Sequence, residues 1–350
     1  MLRKRVSLWL LLCLALLPLL LLSGCVVPVE TQYKSTYLDL FDTVSQIVGY
    51  DTDQEAFVEF SGQVKAGLAE YHALYDIYHD EAVVSIKTVN DNAGIQPVVV
   101  DRRIIDLLLE SREIYDITEG KTNIALGAVL EIWHTYREAG LEDPENAELP
   151  PMEALEEAAN HVDIDDIIID EEASTVYLRD PLMSLDVGAV AKGFAAERAA
   201  ESIEASGRTG VLLSIGGNVR AIGVKPDGSA WNVAIQNPDL ESDQTSLFTL
   251  SIDNLSVVTS GSYQRYYTVD GVKYNHIIDP ETLMPTTYFI GISVVTADSG
   301  LADGLSTALF CIPLEEGRAL VASLDGVEAC WVEPDGTIEM TDGFQALIQP

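Results

Sequence analysis

The sequence predicts one α+β domain with mixed sheets and packed helical layers. Stretches in which apolar and polar residues alternate, as in half-buried strands, lie near the start of the chain and throughout its second half. Stretches whose apolar residues recur every three or four positions, as in amphipathic helices, lie mainly between them. No repeat, low-complexity tract or clean linker divides the roughly 315 residues after the leader, which is enough chain for one large core or two closely packed lobes.

The first half of the domain is expected to form one strand, then helices, then a hairpin. Alternation predicts the strand over residues 36–51. The sequence IIID, a short turn and TVYL predict the hairpin within residues 163–181. Helices are expected within residues 53–78, 98–120, 121–140 and 142–162, the last of them after a loop.

The second half is expected to be rich in strands. Asp270-Gly271, between two alternating segments, is the dipeptide typical of a tight hairpin turn. A loop, a helix and a double-glycine turn between strands are expected within residues 184–223, and another helix within residues 299–312. Further strands are expected within residues 231–238, 247–253, 255–261, 292–299, 327–336 and 336–343.

The first 24 residues are typical of a bacterial lipoprotein signal peptide. Three basic residues at positions 3–5 precede a leucine-rich run, residues 8–22, and small residues then precede Cys25. We expect cleavage before Cys25, lipid on that cysteine, a tether through residue 36 and a folded domain over residues 37–350. The alternative is an uncleaved membrane anchor, for which the apolar run is short. In both cases the domain is expected on the extracytoplasmic face of the cell membrane.

The chain is strongly acidic. It has 20 Lys and Arg residues against 56 Asp and Glu residues, and its formal net charge at pH 7 is −36. This charge argues against binding nucleic acid or anionic lipid through a basic surface. Most of the carboxylates are expected to be solvated surface groups.

The cysteines predict neither a disulfide framework nor a zinc site. Apart from Cys13 in the leader and the lipid site, only Cys311 and Cys330 are present. Both fall in apolar stretches and are expected to be buried thiols. No Cys and His spacing matches a zinc site.

Residues 184–223 have the pattern of a phosphate site. They run from an acidic loop through a glycine and a lysine into a predicted helix. The first N–H groups of a helix lack intrahelical partners and favour anions. Gly188 would let the backbone approach a ligand closely, and Lys192 would add a positive charge. This segment therefore predicts a ligand that carries phosphate.

Asp303 and Thr307 are candidate metal ligands. They lie four residues apart on a predicted helix, which places a carboxylate and a hydroxyl on one face. Two hard oxygens suit Mg²⁺, which completes its coordination shell with substrate phosphates and water. The alternative, which spacing alone favours, is an ordinary helix in which Thr307 is simply packed. Gly304, inside the same helix, indicates close packing or a nearby ligand.

His276 is the candidate general base. It lies in the sequence YNHIIDP, on the return strand of the predicted hairpin, where a histidine could accept a proton or orient a phosphate. It could equally be a strand residue with a purely structural partner. Residues 259–262, Thr-Ser-Gly-Ser, form a polar stretch that could cradle a ligand or simply turn the chain.

Read together, these segments resemble the FAD:protein FMN transferases, the ApbE-like family once called thiamine-biosynthesis lipoproteins. The strongest matches lie in residues 185–223, 257–282 and 302–310. Weaker matches follow the family's order and extend the resemblance over nearly the whole mature chain. They lie in residues 41–43, 74–82, 89–94 and 119–133.

The resemblance implies a single two-lobed, ApbE-like (T-fold-like) domain and a Mg²⁺-dependent enzyme. Such an enzyme transfers the FMN moiety of FAD to a Ser or Thr hydroxyl of an exported target protein and releases AMP. By resemblance, the metal ligands are Asp303, Thr307 and the backbone carbonyl of Ala189, and the catalytic residues are His276, Lys192 and Asp303. The implied FAD contacts are Phe41, Tyr78, Lys121, Thr122, Asn123, Asp186, Lys192 and Ile278.

The sequence also departs from the family's usual pattern. Phe41-Asp42 replaces the commoner Met-Gly, Asn123 stands where Asp is frequent, and Leu283-Met284 replaces a position where Gly is frequent. Two other functions stay open at this point. One is a lipoprotein that binds FAD without transferring FMN, and the other is a pyrophosphatase that splits FAD into FMN and AMP.

Overall fold

The structure is a computed structural model that describes residues 30–80 and 82–350. The predicted signal peptide and Cys25 lie outside the described residues. Within this part of the chain, none of the helices combines the length and the apolarity that a membrane span requires.

An antiparallel sheet of eight strands forms the centre of the described part. Its strand pairs are hydrogen-bonded in an order that differs from the chain order, so several connections cross over. In spatial order the strands are β1 (Thr31–Leu40), β2 (Thr43–Asp51), β6 (Val211–Ile215), β7 (Asn218–Ile222), β10 (Ser256–Gly261), β13 (Gly291–Thr296), β14 (Glu328–Val332) and β15 (Ile338–Met340).

Three small antiparallel sheets accompany the large one. Two of them contain a hairpin that the sequence predicted, one within residues 163–181 and one at Asp270-Gly271. The Asp270-Gly271 turn has the left-handed backbone of a tight hairpin, with φ of 50° and 81°. The strands are β3 (Val98–Val99), β5 (Thr175–Leu178) and β4 (Ile167–Asp170) in the first sheet, β8 (Trp231–Gln236) and β9 (Ser246–Ile252) in the second, and β11 (Tyr266–Val269) and β12 (Val272–Asn275) in the third.

The longer helices form where the sequence predicted them. Asp53, Asp101 and Asp298 each precede one, and the side chain of each accepts a hydrogen bond from an N–H of the first turn. The helices are α1 (Gln54–Tyr75), α2 (Ile86–Asp91), α3 (Arg102–Ile117), α4 (Gly127–Glu142), α5 (Met152–Ala158), α6 (Ala191–Ala205), α7 (Ser299–Phe310), α8 (Leu314–Ala322) and α9 (Asp342–Leu347).

Both faces of the large sheet are covered. Successive side chains of a strand point to opposite faces. Val258 of β10 packs in the cluster with α7, whereas its neighbour Val257 packs in the cluster with β8, β9 and α9. Val294 and Val295 of β13 divide in the same way. The helical face therefore carries α7, and it is at the edge of this layer that the candidate site lies.

Helices α6 and α7 cross at close range because Gly193 has no side chain. A Cβ at Gly193 would overlap the backbone oxygen of Ser299 and would lie 2.5 Å from Cβ of Asp303. Gly304 likewise allows α7 and α3 to approach closely, since a Cβ at this position would lie 2.6 Å from Cγ2 of Ile114. The close packing predicted at Gly304 is confirmed.

The α+β class is confirmed, but the predicted tether is too long. Residues 31–36 already belong to β1 and pair with β2 in antiparallel register. Tyr33 fixes this part of the strand, because its ring stacks on Phe57 of α1 with a centroid distance of 5.6 Å. The strand predicted over residues 36–51 is in fact a hairpin.

The hairpin between β1 and β2 turns at Phe41 and Asp42. Both residues have a left-handed backbone, with φ of 51° and 50°, although neither is glycine. Short helices α2, α8 and α9 were not predicted, because six to nine residues carry too few turns of the helical period to stand out.

Candidate functional site

Two adjoining cavities open beside α4, α6 and α7. The first has a volume of about 230 Å³ and the second of about 490 Å³. The second is within the usual range for a ligand pocket, whereas the first would hold only part of a large ligand. The wall between them is formed by residues that line both cavities: Tyr78, His134, Arg137, Asp186, Gly188, Lys192 and Arg265.

The structure brings the predicted site residues together from distant parts of the sequence. Phe41 lines the second cavity, next to Tyr78, Asp186 and Lys192, which line both. The others line the first cavity: Lys121, Thr122, Asn123, Ala189, His276, Ile278, Asp303 and Thr307.

Asp303 lies at the crossing of α6 and α7. It is 4% exposed, and its Oδ2 accepts a hydrogen bond of 2.8 Å from the N–H of Gly193. Lys192 Nζ lies 3.8 Å from the same oxygen. Burial raises the pKa of this carboxyl, because a low-dielectric environment disfavours its charge, while Lys192 and the Gly193 N–H oppose the rise. A further cation in the cavity would stabilise the ionised form.

The chemistry of the donor set fits Mg²⁺. Thr307 lies one helical turn after Asp303, and Ala189 lies in the loop before α6, so that both border the same cavity as Asp303. Gly193 and Lys192 both face Oδ2 of Asp303. The side-chain amide of Asn218 also lowers the pKa of this carboxyl, so the ionised form that a cation needs is favoured by three neighbours. Over residues 30–80 and 82–350, no group of three or more His, Cys, Asp or Glu side chains could hold a metal ion. Mg²⁺ needs only one or two carboxylates when phosphates and water complete its shell.

Asp186 shapes the loop that precedes α6. Its Oδ1 accepts the N–H of Gly188 at 2.8 Å, and burial raises the pKa of its carboxyl against the opposing effect of that bond. Lys192 Nζ donates to the carbonyl of Gly188 at 3.1 Å. These two hydrogen bonds, one to each side of Gly188, hold the loop in a compact conformation. All three residues line the wall between the cavities.

The amino terminus of α6 is less open than the sequence suggested. The N–H of Ala191 bonds the carbonyl of Val187 at 2.8 Å, and the N–H of Gly193 bonds Asp303. The expectation that the first amides of this helix point at a phosphate is therefore wrong for these two. Instead, the positive end of the helix dipole stabilises the carboxylate of Asp303.

His276 presents one ring nitrogen to the first cavity. Its Nδ1 lies 3.1 Å from the carbonyl of Arg265, and since a carbonyl only accepts, Nδ1 carries the proton. Nε2 then has the free lone pair. Burial and, to a lesser extent, the nearby Arg265 charge together lower the pKa of the His276 imidazole to about 4. The ring is therefore neutral near pH 7, as a proton acceptor must be.

The residues that follow α3 are held firmly at the cavity rim. Lys121 Nζ pairs with Asp279 at 3.2 Å and with Glu281 at 3.0 Å. The hydroxyl of Thr122 donates to the carbonyl of Gly304 at 2.7 Å, which ties this segment to α7. Asn123 donates to the carbonyl of Val162 and accepts the N–H of Ala125. The polar atoms of Thr122 and Asn123 are thus already engaged within the protein, so a ligand would meet the backbone and side-chain carbons here.

Aromatic side chains line the larger cavity. The N–H of Phe41 donates to Nδ1 of His72 on α1 at 3.1 Å, which helps to hold the left-handed turn. Tyr78 stacks on His134 with a centroid distance of 5.1 Å and an interplanar angle of 28°. These rings provide flat apolar surfaces of the kind that heterocycles stack on.

One known family matches these features along almost the whole described chain. The model of the ApbE family matches residues 31–331. The chain belongs to the ApbE family. A curated relative, the FAD:protein FMN transferase of Treponema pallidum, is 33% identical over 306 residues, which is 81% of this chain and 82% of the relative. The FAD:protein FMN transferase of Vibrio cholerae is 27% identical over 340 residues, or 95% of this chain and 94% of the relative.

Solved structures of ApbE proteins have the same fold. The crystal structure of the ApbE protein of Thermotoga maritima aligns with a TM-score of 0.79 and 25% identity, over 91% of this chain and all of that one. The flavin transferase ApbE of Vibrio cholerae aligns with a TM-score of 0.75 over the same shares. Because the two sequences are only 21% identical, this similarity is evidence for a shared fold alone.

Sequence analysis missed several side chains of this ApbE-family site. Three of them line the first cavity from α4, where Arg137 lies three residues after His134 and four after Trp133. Arg265 and Tyr267 enter it from the segment around β11. A weak sequence signal existed, since Arg265 lies in a segment that resembles the family and Arg137 lies four residues after another such segment. Nothing local distinguishes these two from surface arginines.

The two cysteines of the described chain are un-ionised thiols, and Cys311 donates to the carbonyl of Ile278, a residue that lines the first cavity. Cys311 and Cys330 are buried free thiols, as predicted. Burial raises the pKa of each thiol to about 12, so neither is a thiolate near pH 7.

Proposed function

We propose that this ApbE-family protein is a Mg²⁺-dependent FAD:protein FMN transferase that modifies a Ser or Thr hydroxyl of an exported protein. The observation that supports this most directly is the convergence of three chemistries on the first cavity. A buried carboxylate suited to a metal, a neutral histidine with a free nitrogen and a lysine all line it: Asp303, His276 and Lys192.

In the proposed reaction, the acceptor hydroxyl attacks the phosphorus of the FMN half of FAD. His276 Nε2 accepts the hydroxyl proton, which makes the oxygen a better nucleophile. A bond forms between that oxygen and phosphorus, and the bond from phosphorus to the bridging oxygen of the pyrophosphate breaks. AMP leaves with the electron pair of that bond, so the products are the FMN-modified protein and AMP.

The chain's own charges would stabilise this transfer. Lys192 lies at the amino end of α6 on the wall between the cavities, where its charge can neutralise oxygens of the transferred phosphoryl group. Asp303, Thr307 and the Ala189 carbonyl would hold Mg²⁺, which supplies further neutralisation of the phosphates and of the leaving group.

The acceptor is proposed to be an exported protein because the leader predicts export of this chain too. Lipid on Cys25 would anchor the domain to the extracytoplasmic face of the cell membrane. The body of the chain has the composition of a soluble acidic domain, with a net charge of −36 for the full sequence, and carries its catalysis outside the bilayer in this proposal.

The test is a reaction of the full-length protein with FAD, Mg²⁺ and a candidate acceptor domain that bears a Ser or Thr flavinylation motif. Intact mass of the acceptor is read with and without EDTA. A gain of one FMN that requires the metal, with release of AMP, is expected. FMN and AMP released without a mass gain across several acceptors would favour a pyrophosphatase, and FAD bound but unchanged would favour a flavin carrier.

A further inference from the structure

Arginines without acidic partners stand out in so acidic a chain. Most described Lys and Arg side chains lie within 4.0 Å of a carboxylate; Lys121, for example, pairs with two. Among residues 30–80 and 82–350, Arg137 and Arg265 have no carboxylate within that distance, and both lie on the wall between the two cavities. In a chain with 56 acidic residues, two guanidinium groups that form no ion pair therefore line the junction of the two cavities.

Arg137 is held in place by its neighbour on the same helix. Its Nη2 donates a hydrogen bond of 2.7 Å to Nδ1 of His134, three residues earlier on α4. Since arginine only donates, Nδ1 is the acceptor and the ring proton lies on Nε2, which is 3.5 Å from Glu138. The His134 ring is also held by its stacking with Tyr78. The guanidinium therefore starts from a restrained position and loses little freedom on binding an anion.

We propose that Arg137 binds the pyrophosphate of FAD where the two cavities meet, and that His134 is the residue that positions it. This inference rests on the proposed function, since it takes FAD as the substrate. The smaller cavity is too small for a whole dinucleotide, so the two halves of FAD occupy different cavities and the phosphates cross the shared wall. That wall is lined by Arg137, Lys192 and Arg265. Each arginine guanidinium can donate two parallel hydrogen bonds to phosphate oxygens, and the lysine adds a positive charge.

Two other basic sites fit this role less well. Lys121 borders the first cavity, but Asp279 and Glu281 already neutralise it. A separate groove between α1 and α6 contains Arg103 and Arg198, but their guanidinium groups lie beside carboxylates as well. Arg137 borders both cavities, and the nearby buried Asp186 is close enough to feel its charge but does not form an ion pair with it.

The experiment compares a flavin that has the pyrophosphate with one that lacks it. Binding of FAD and of riboflavin to the full-length protein is measured by flavin fluorescence in the presence of EDTA, which prevents turnover. Arg137→Gln is expected to weaken FAD binding by about ten- to a hundredfold, because charged hydrogen bonds are lost, and to leave riboflavin binding unchanged. Arg102→Gln removes an equal charge outside both cavities and is expected to bind FAD as the unmodified protein does.

Two variants test the positioning role of His134. His134→Gln keeps an oxygen that can accept from Arg137, whereas His134→Phe keeps the ring against Tyr78 but has no acceptor. We expect His134→Phe to lose about two- to tenfold in FAD affinity without a change for riboflavin, and His134→Gln to recover most of the loss. Equal FAD affinity in the two variants would mean that His134 only stacks on Tyr78 and does not position Arg137.

The outcomes separate this inference from the proposed function. If the unmodified protein binds no FAD even with Mg²⁺ present, the proposed function fails and the inference fails with it. If FAD binding requires the metal, the Arg137→Gln comparison is made with Mg²⁺ and without an acceptor protein. If it binds FAD and Arg137→Gln binds it equally well, only the inference is overturned. If Arg137→Gln weakens FAD and riboflavin to the same extent, Arg137 shapes the cavity rather than binding phosphate, and the inference is again wrong.

Discussion

At the residue scale, the buried carboxylate of Asp303 has unusual surroundings. Two donors, the Gly193 N–H and Lys192 Nζ, approach one of its oxygens, and the side-chain amide of Asn218 also favours its ionised form. Burial of a carboxylate is costly unless its charge is compensated. Such a group is therefore stable in two states, protonated or bound to a cation, and the second is the state that the proposed transfer requires.

Replacement of Asp303 tests its proposed metal role. Asp303→Asn keeps the shape of the side chain and an oxygen for the Gly193 N–H, so the fold should be preserved. Transfer of FMN should fall by about a thousandfold, because several kcal/mol of charge stabilisation are lost. Mg²⁺ affinity and FMN transfer are measured together. Asp298→Asn, which retains an N-cap on the same helix, is the control. Retained transfer by a metal-stripped Asp303→Asn sample would contradict the assignment.

The pH profile tests the proposed role of His276. Its pKa in the folded protein, about 4, lies below the usual value of 6.5, so the folded state favours the neutral ring. Stability from this group is present above pH 6.5 and is lost as the pH falls toward 4. Transfer should accordingly show no loss from His276 protonation between pH 6 and 8 and should decline only as the pH approaches 4.

His276→Gln should lower the rate of transfer by about a hundredfold or more and should remove that acidic decline. Circular dichroism at each pH separates loss of a base from unfolding. A decline centred near pH 6.5 in the unmodified protein would indicate a histidine with ordinary solvation, and so would argue against His276 in its present environment as the base.

At the element scale, the crossing of α6 and α7 couples stability to the site. Gly193→Ala would push a Cβ into the backbone of Ser299 and against Asp303. Overpacking of this kind should lower the free energy of unfolding by about 1–3 kcal/mol and should weaken Mg²⁺ binding, because the carboxylate has to move. Chemical denaturation and metal titration measure the two effects.

Gly62→Ala provides the matched control for the helix crossing. Gly62 lies in α1 with no atom within 4 Å of its added Cβ, and alanine there should stabilise the helix by about 0.5–1 kcal/mol. If Gly193→Ala behaved like Gly62→Ala, the two helices would have more room to separate than their contacts indicate.

A second element contact, between α3 and α7, is sensitive to pH. The Glu110 carboxyl lies directly against Gly300 in the first turn of α7. Burial, and then the nearby charge of Asp298, raise the pKa of Glu110 to about 7. The usual value is 4.5, so the protonated form is favoured in the folded state. Its contribution to stability is complete below pH 4.5 and is lost as the pH rises through 7.

Glu110→Gln mimics the protonated side chain. It should raise the free energy of unfolding more at pH 8 than at pH 5, as measured by denaturation at the two values. Glu113→Gln removes the same charge from an exposed position of the same helix and should change stability equally at both. An equal effect of Glu110→Gln at both pH values would mean that the carboxyl is better solvated than its contacts suggest.

At the scale of the whole molecule, local patterns predicted elements better than they predicted the site. Alternation and the Asp270-Gly271 turn are local signals, and the corresponding strands formed. The hairpin at Phe41-Asp42 was missed, because two residues without glycine do not suggest a left-handed turn. Its support comes from His72, which is 31 residues away in the chain.

The site was predicted mainly through the resemblance to a known family, because most of its residues are brought together only by the packing of distant elements. Asp303 and Thr307 share a helix, so spacing alone could place them on one face. The approach of Arg137 and Arg265 depends on how α4 and the β11 hairpin pack, which no local pattern encodes. The engagement of Gly193 with Asp303 likewise depends on a helix crossing.

In the proposed lipid-anchored form, the first strand would also act as a spacer between the anchor and the site. Ten residues of β1 separate Thr31, where the predicted tether enters the fold, from the Phe41 turn at the second cavity. An extended run of that length measures about 33 Å. With lipid on Cys25, the second cavity would lie up to that distance from the end of the tether. The space between the membrane and the cavity would then be about as high as a small domain. An acceptor attached to the same membrane would fit into such a gap without either protein leaving the surface.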